Sequence, residues 1–266
     1  MEQALVVTSF GTSVPKARSS IDAVEEALRK AAPGYTFVRA FTSPTIRRIL
    51  AERSEEVLSL TEALEELCRE GADQVVVQPT HLLYGYEYDK LKAEAESFSG
   101  RFERLTVGKP LLAGVQDILR LAEELAKAHP QKEGEAVIYM GHGTEHFANA
   151  AYPALQTALH LSGRDDIYIG TVEGWPGLKD ILRQLKKPCQ IQLLPLMLVA
   201  GDHARKDMAV DWKDALEKAG HPVQCAFTGL GELGWVQEMY RERLLEVIGP
   251  LREGHVTTGR ALAPTG

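Results

Sequence analysis

Leu5–Thr12 reads LVVTSFGT, and 132 residues later Val137–Thr144 reads VIYMGHGT. Each is an apolar, β-rich run that breaks into a turn carrying glycine. Continuous apolar runs without polar alternation point to parallel strands covered on both faces. The same pattern recurs along the chain. Leu5–Thr8, Tyr35–Phe41, Gln74–Gln78 and Leu105–Val107 read as strands of a first set, and Ala136–Met140, Ile167–Val172, Gln190–Leu194 and Val223–Phe227 as a second. Between them lie amphipathic stretches with helical spacing, Ser20–Lys30, Glu62–Arg69 and Val115–Ala128. Alternating strand and helix predicts an α/β fold with parallel sheets and right-handed crossovers. Ser43-Pro44 reads as an N-cap followed by proline at the first helical position. Ser13 with Pro15, and Trp175-Pro176, read as similar starts.

The two halves repeat each other. Phe37–Pro44 aligns with Ile167–Gly174 at an offset of 130 residues. Gln78-Pro79, Gly85 and Lys90 align with Leu194-Pro195, Gly201 and Lys206 at 116, and Val115–Asp117 with Val236–Glu238 at 121. Four blocks in one order predict two similar domains, 1–130 and 131–266, divided near the polar stretch His129–Gly134. The expected last helix of the second may pack back on the first.

Composition narrows the function. The 266 residues are 44% hydrophobic and carry a net charge of −7, which speaks against a general nucleic-acid binder. No apolar run approaches the roughly 20 residues of a membrane span. The opening MEQALVVTSFGTS has neither a basic n-region nor a long apolar core, so a cytoplasmic protein is expected. Cys68, Cys189 and Cys225 are too scattered for a disulfide framework or a cysteine-rich zinc site.

Ligands of parallel α/β sheets bind beyond the carboxyl ends of the strands. In the second half the repeat puts His142, Glu173 and His203 there, where the first half has Phe10, Ser43 and Glu87. Two imidazoles and a carboxylate suit a divalent first-row metal with open coordination positions. Imidazole also suits proton abstraction near neutral pH. Each residue alone has an ordinary reading, as a solvated loop histidine or a helix cap; the three together at equivalent strand ends do not. His142–His146 also matches H-x-x-E-H, but that metalloprotease pattern needs a helix through both histidines, and here a strand runs straight into Gly141-His142-Gly143. His81, Tyr84, Tyr86 and Tyr88 form an aromatic loop able to face a flat ligand. Gly229, Gly231 and Gly234 spell G-x-G-x-x-G without the surrounding dinucleotide-binding unit, and read as turn glycines.

Met140–His146, Val172–Pro176 and Pro195–Ala204, with Ser9–Ser13 and Pro79–His81, closely resemble the anaerobic sirohydrochlorin cobalt chelatases of cobalamin biosynthesis. The resemblance runs to about residue 250 and implies an ATP-independent class II chelatase with the ferrochelatase fold. That fold has two similar domains, each a four-stranded parallel sheet flanked by helices, with the active cleft between them. It implies His142, Glu173 and His203 as cobalt ligands, with His142 also the proton acceptor. Phe10, Ser13, Tyr84, Tyr86, Glu87, Arg47 and Lys206 are the expected substrate-binding residues. Co2+ is the substrate metal, sirohydrochlorin or precorrin-2 the macrocycle, and no ATP is needed; no P-loop G-x-x-x-x-G-K-[ST] is visible. No nucleic-acid or membrane partner is expected, and a homo-oligomer is left open.

Sirohydrochlorin carries eight carboxylates, so an acidic protein must offer a locally basic cleft. Lys16, Arg18, Arg47, Arg48, Lys90, Arg205 and Lys206 are the candidates. Two histidines and a glutamate do not encode the metal. An Fe2+ or Ni2+ chelatase and a non-catalytic tetrapyrrole or metal carrier therefore stand as alternatives.

Overall fold

The computed structural model describes residues 2–185, 187–201 and 204–249. It contains two four-stranded sheets, all parallel. The first is built from β1 (Gln3–Ser9), β2 (Thr36–Phe41), β3 (Gln74–Pro79) and β4 (Arg104–Val107), in the order β2-β1-β3-β4. The second is built from β5 (Glu135–Gly141), β6 (Ile167–Thr171), β7 (Gln190–Pro195) and β8 (Val223–Cys225), in the equivalent order β6-β5-β7-β8. All eight expected strands are present. The last stops short of Phe227, because the chain turns away after Cys225.

The sequence repeat is also a repeat of register. Thr8 pairs with Ala40 on one side and Pro79 on the other; Met140 pairs with Gly170 and Pro195. These are the residues related by the offsets of 132, 130 and 116. A one-residue slip would turn each strand's side chains to the opposite face, and here both faces are buried, so register is strongly specified.

The helices are α1 (Arg18–Ala31), α2 (Pro44–Ala51), α3 (Leu60–Glu70), α4 (Tyr86–Glu96), α5 (Val115–Ala128), α6 (Ala151–Leu161), α7 (Leu178–Gln184), α8 (Lys213–Lys218) and α9 (Gly234–Ile248). A π-helical stretch, Ala204–Trp212, leads into α8. Ser43 caps α2 as expected, its hydroxyl accepting from the Ile46 N–H, with Pro44 in the first turn. The other two expected starts differ. Val14, not Ser13, precedes the 3-10 turn at Pro15–Ala17. Gly177 caps α7, with its N–H bonded to Asp180 Oδ2 at 3.0 Å, so Pro176 lies outside the helix and its peptide bond is cis.

Each sheet buries both faces. In β1, Leu5 and Val7 face a central core, while Ala4 and Val6 face α3 and α4 through Leu60, Leu64, Leu67 and Leu91. In β5, Val137 and Tyr139 face the same central core. Ala136, Ile138 and Met140 face the outer layer of Ile181, Met208, Trp212 and Leu216. This is why the strands read as continuous apolar runs.

The central core joins the halves. α5 packs on α6, the first helix of the second half, and α9 packs on α1, the first helix of the first. α9 buries Val236, Met239, Tyr240 and Leu244, one helical stripe. Fully burying a residue such as Leu244 is worth roughly 1.5–3 kcal/mol, so this exchange of helices is a substantial bond between the two sheets. Ion pairs Arg120–Glu242, Arg243–Asp117 and Lys109–Glu246 rim it. At its centre the Tyr240 hydroxyl donates to the Thr80 carbonyl at 2.6 Å, tying α9 to the loop after β3. Glycines allow the closest approach: a Cβ on Gly231 would lie 2.3 Å from the Ser20 carbonyl oxygen, and one on Gly229 2.6 Å from Ser20 Oγ. These glycines therefore seat the second half's backbone on α1.

Tyr240→Phe removes the buried donor and leaves the Thr80 carbonyl short of a partner. A loss of about 1–2 kcal/mol is expected, seen as a lowered urea midpoint with an unchanged slope.

Candidate active site

The β5–β6 pairing does not stop where the strands end. Val172 N–H donates to the Gly141 carbonyl at 3.1 Å and Glu173 N–H to the His142 carbonyl at 2.8 Å. These two bonds carry the parallel ladder into the turns and set His142 beside Glu173. His142 Nδ1 lies 3.7 Å from Glu173 Oε2. The two side chains remain 45% and 58% exposed, so a ligand can reach both.

The backbone around them is close-packed. Gly143 has φ +82°, and a Cβ there would lie 2.4 Å from Gly174 N. A Cβ on Gly141 would lie 2.3 Å from the Tyr152 ring, and one on Gly174 2.2 Å from Asn149 Oδ1. Both neighbours serve the turn. Tyr152 OH accepts from Gly143 N–H at 3.4 Å; burial raises this phenol's pKa, so it stays a neutral hydroxyl. Asn149 Oδ1 accepts from Thr144 N–H at 3.1 Å, while its Nδ2 donates to the Trp175 carbonyl at 2.6 Å. Asn149 thus clamps the His142 turn to the Glu173 turn.

His142 Nδ1 also lies 2.9 Å from the Gly143 carbonyl oxygen. A carbonyl only accepts, so this contact assigns the proton to Nδ1 and the imidazole lone pair to Nε2. His203, the third expected ligand, lies outside the described residues. Among the described residues no group of three His, Cys, Asp or Glu side chains is gathered closely enough to hold a metal ion.

His146 is not a partner of His142 in a helical zinc motif. It starts the 3-10 turn Phe147–Ala150, its Nδ1 accepting from Ala148 N–H at 3.0 Å. The proton is then on Nε2, which lies 3.4 Å from Asp89 Oδ2 on α4. The Tyr86 ring meets the His146 ring edge-on at 5.0 Å. α4 of the first half therefore touches the His142 loop of the second, and Tyr86 is placed on the same rim as His142.

The other expected substrate residues are distributed around the first half. Phe10 follows β1 and is 49% exposed. Ser13 follows it, its carbonyl accepting from Arg53. Glu87 accepts from Thr42 Oγ1 at 3.4 Å, beyond β2. Tyr84 packs edge-on against Tyr88, a phenol pushed up to about 12 by burial. Lys206 is exposed on the π-helix. Arg47 is drawn away by Glu62 on α3, at 3.1 Å. Two further aromatics, Phe147 and Trp175, stand 89% and 62% exposed beside His142 and Glu173 in sequence. Exposed rings immediately after a strand-end motif were the available sequence signal for them.

His81, in the loop after β3, has both ring nitrogens sealed from solvent with no hydrogen-bond partner among the described residues, although part of the residue reaches the surface. Burial lowers its pKa from 6.5 to about 4. Its carbonyl accepts from Leu111 N–H.

The family model described as Cobalt chelatase (CbiK) matches residues 3–249. The chain belongs to the CbiK cobalt chelatase family. The sirohydrochlorin cobaltochelatase of Salmonella typhimurium is 35% identical over 257 residues, covering 93% of this chain and 97% of that protein. The sirohydrochlorin cobaltochelatase CbiKC of Nitratidesulfovibrio vulgaris is 33% identical, covering 94% and 92%. Among solved structures, SirB from Bacillus subtilis, determined with Fe3+, superposes with a TM-score of 0.67 at 17% identity, covering 92% of this chain and 95% of that one. CbiX, the terminal enzyme of siroheme biosynthesis in denitrifying bacteria, superposes at 0.54 with 17% identity, covering 93% and 99%. At that identity the structural likeness shows the shared chelatase fold. Among the described residues of this CbiK-family chain no helix is long and apolar enough to cross a membrane.

Gly143→Ala forces a Cβ into Gly174 at a positive φ. A stability loss of about 1–3 kcal/mol is expected, together with displacement of His142 from Glu173, checked by thermal melting and a crystal structure of the variant. His81 generates a pH prediction. Its folded pKa lies below its unfolded value, so the unfolded chain takes up the proton first. Its contribution is complete above about pH 6.5 and is lost as pH falls through about 4. At about 1.4 kcal/mol per unit the loss is at most about 3 kcal/mol. Denaturant midpoints measured from pH 7 to 4 should fall less steeply in His81→Leu than in the wild type.

Proposed function

We propose that this chain inserts Co2+ into sirohydrochlorin, or into its reduced form precorrin-2, without ATP, as a step of anaerobic cobalamin biosynthesis. The observation that carries the reading is the coincidence of two findings. The CbiK family model spans residues 3–249, and the two described residues of the candidate ligand set stand 3.7 Å apart at the carboxyl ends of adjacent strands.

The chemistry follows from charge balance. A free-base tetrapyrrole holds two central N–H protons, and both must leave as a divalent ion enters. In the tautomer with Nδ1–H facing the Gly143 carbonyl, the His142 Nε2 lone pair, freed as the ion passes to the ring, takes one pyrrole proton, and the second leaves to solvent water at this exposed site. The Glu173 carboxylate beside it stabilises the imidazolium that results and offers an oxygen to the incoming ion. His203 is proposed as the third ligand. Three protein ligands leave positions at which ring nitrogens can replace protein atoms stepwise. Exchange without a tight final site explains why no nucleotide hydrolysis is required. Phe10, Tyr86, Phe147 and Trp175 present exposed rings around the strand ends, surfaces suited to the face of a flat macrocycle. Holding that macrocycle distorted would open its nitrogens to the metal.

Anaerobic metallation followed by absorbance, with Co2+ and Fe2+ in parallel, tests the reading. Wild-type protein should turn over many equivalents. His142→Ala should lower the catalysed Co2+ rate by at least about a hundredfold, while melting at the wild-type temperature, since the side chain is half exposed. Stoichiometric binding without turnover by the wild type would make the protein a carrier instead.

A further inference from the structure

We propose that the cavity between Lys16 and Arg205 is a carboxylate subsite that holds one acidic arm of the tetrapyrrole and the ring edge that bears it. This inference rests on the proposed chelatase function and names how its polyanionic substrate is anchored. The cavity has a volume of about 540 Å3 and is lined by Lys16, Ala17, Ala200, Arg205 and Phe227. That size falls within the roughly 300–1,000 Å3 usual for small-molecule sites. It is ample for a short carboxylate arm together with part of a ring.

The lining comes from both halves of the molecule. Lys16 and Ala17 follow β1. Ala200 and Arg205 follow β7, and Phe227 follows β8. Every one of these segments lies beyond the carboxyl end of a strand, as His142 and Glu173 do. The halves are held in register at this place. Leu198 and Val199 pack on Ile21, Phe41 and Leu50, and Gly229 and Gly231 press against Ser20. The walls of the cavity are therefore fixed relative to each other before a ligand arrives.

The chemistry of the lining specifies the ligand. Ala17 and Ala200, each 6% exposed, and Phe227, 49% exposed, give the lining its apolar groups. Lys16 and Arg205 add two cations. Among the described residues neither Lys16 nor Arg205 has a carboxylate within ion-pair distance. Neighbouring arginines are differently committed: Arg18 pairs with Glu55 at 2.6 Å and Arg47 with Glu62 at 3.1 Å. A lining of apolar groups with two cations that have no carboxylate partner among the described residues fits a group with a hydrocarbon stem and an anionic end. A guanidinium and an ammonium together can hold both oxygens of a carboxylate. The basic locus of this subsite is thus Lys16 with Arg205.

The test is a titration of metal-free sirohydrochlorin, under anaerobic conditions and without Co2+, followed by its fluorescence. Lys16→Ala and Arg205→Ala should each raise Kd about tenfold, and the double variant about a hundredfold. Lys16→Arg should stay within about threefold of wild type, and salt should weaken the wild type more than the double variant. All variants should melt like the wild type, because both side chains are exposed. Wild-type affinity in the double variant would overturn the subsite. Binding that depends on the two cations, in a protein that turns over no Co2+, would uphold the subsite and overturn the catalytic reading. Absence of tetrapyrrole binding by the wild type would overturn both.

Discussion

The candidate site of this molecule depends on two backbone hydrogen bonds, from Val172 to Gly141 and from Glu173 to His142. They extend a parallel strand pair past its last formal residues. Their consequence is geometric: two side chains 31 positions apart in the chain are set side by side without touching the core. Such bonds form only if the two turns can lie against each other, and that is a question of volume. Gly141, Gly143 and Gly174 each occupy a place where a Cβ would overlap a neighbour. The glycines flanking His142 and Glu173 let backbone approach backbone, with Tyr152 and Asn149 filling the space and taking up the turn's N–H groups.

The same constraint recurs at the scale of the domains. Each half gives its final helix to the other, α5 onto α6 and α9 onto α1. A single core then runs between the sheets. Two sheets tied in this way present their carboxyl ends on one rim. Contacts between halves at that rim, such as His146 with Asp89 and Tyr86, follow from the packing beneath them. The frame is symmetric but its strand ends are not: the second half sets His142 beside Glu173, where the first half has Phe10 and Ser43.

Much of the architecture was legible because parallel strands buried on both faces leave an unmistakable apolar run, and because a duplicated fold repeats those runs at near-constant offsets. The offsets even carried register, as Thr8 and Met140 show with their paired partners. Capping was read correctly at Ser43, where side-chain chemistry alone decides. It was misread at Pro176, where the proline lies in the turn before the helix and Gly177, with Asp180, makes the cap. Arg47 was indistinguishable from other surface arginines until α3 brought Glu62 to it. His81 gave no sign that both its ring nitrogens would be buried without a hydrogen-bond partner among the described residues.

Residue types and their spacing along the chain determined the α/β class, the doubled run of strands and the strand ends, and named the candidate ligands, because these depend on local periodicity and on chemistry that each side chain carries with it. Tertiary structure alone decided that Glu173 lies beside His142, which arginines are drawn into ion pairs and which surfaces of the two halves meet. Those properties arise from neighbours distant in sequence, and only the close packing of one backbone against another selects them.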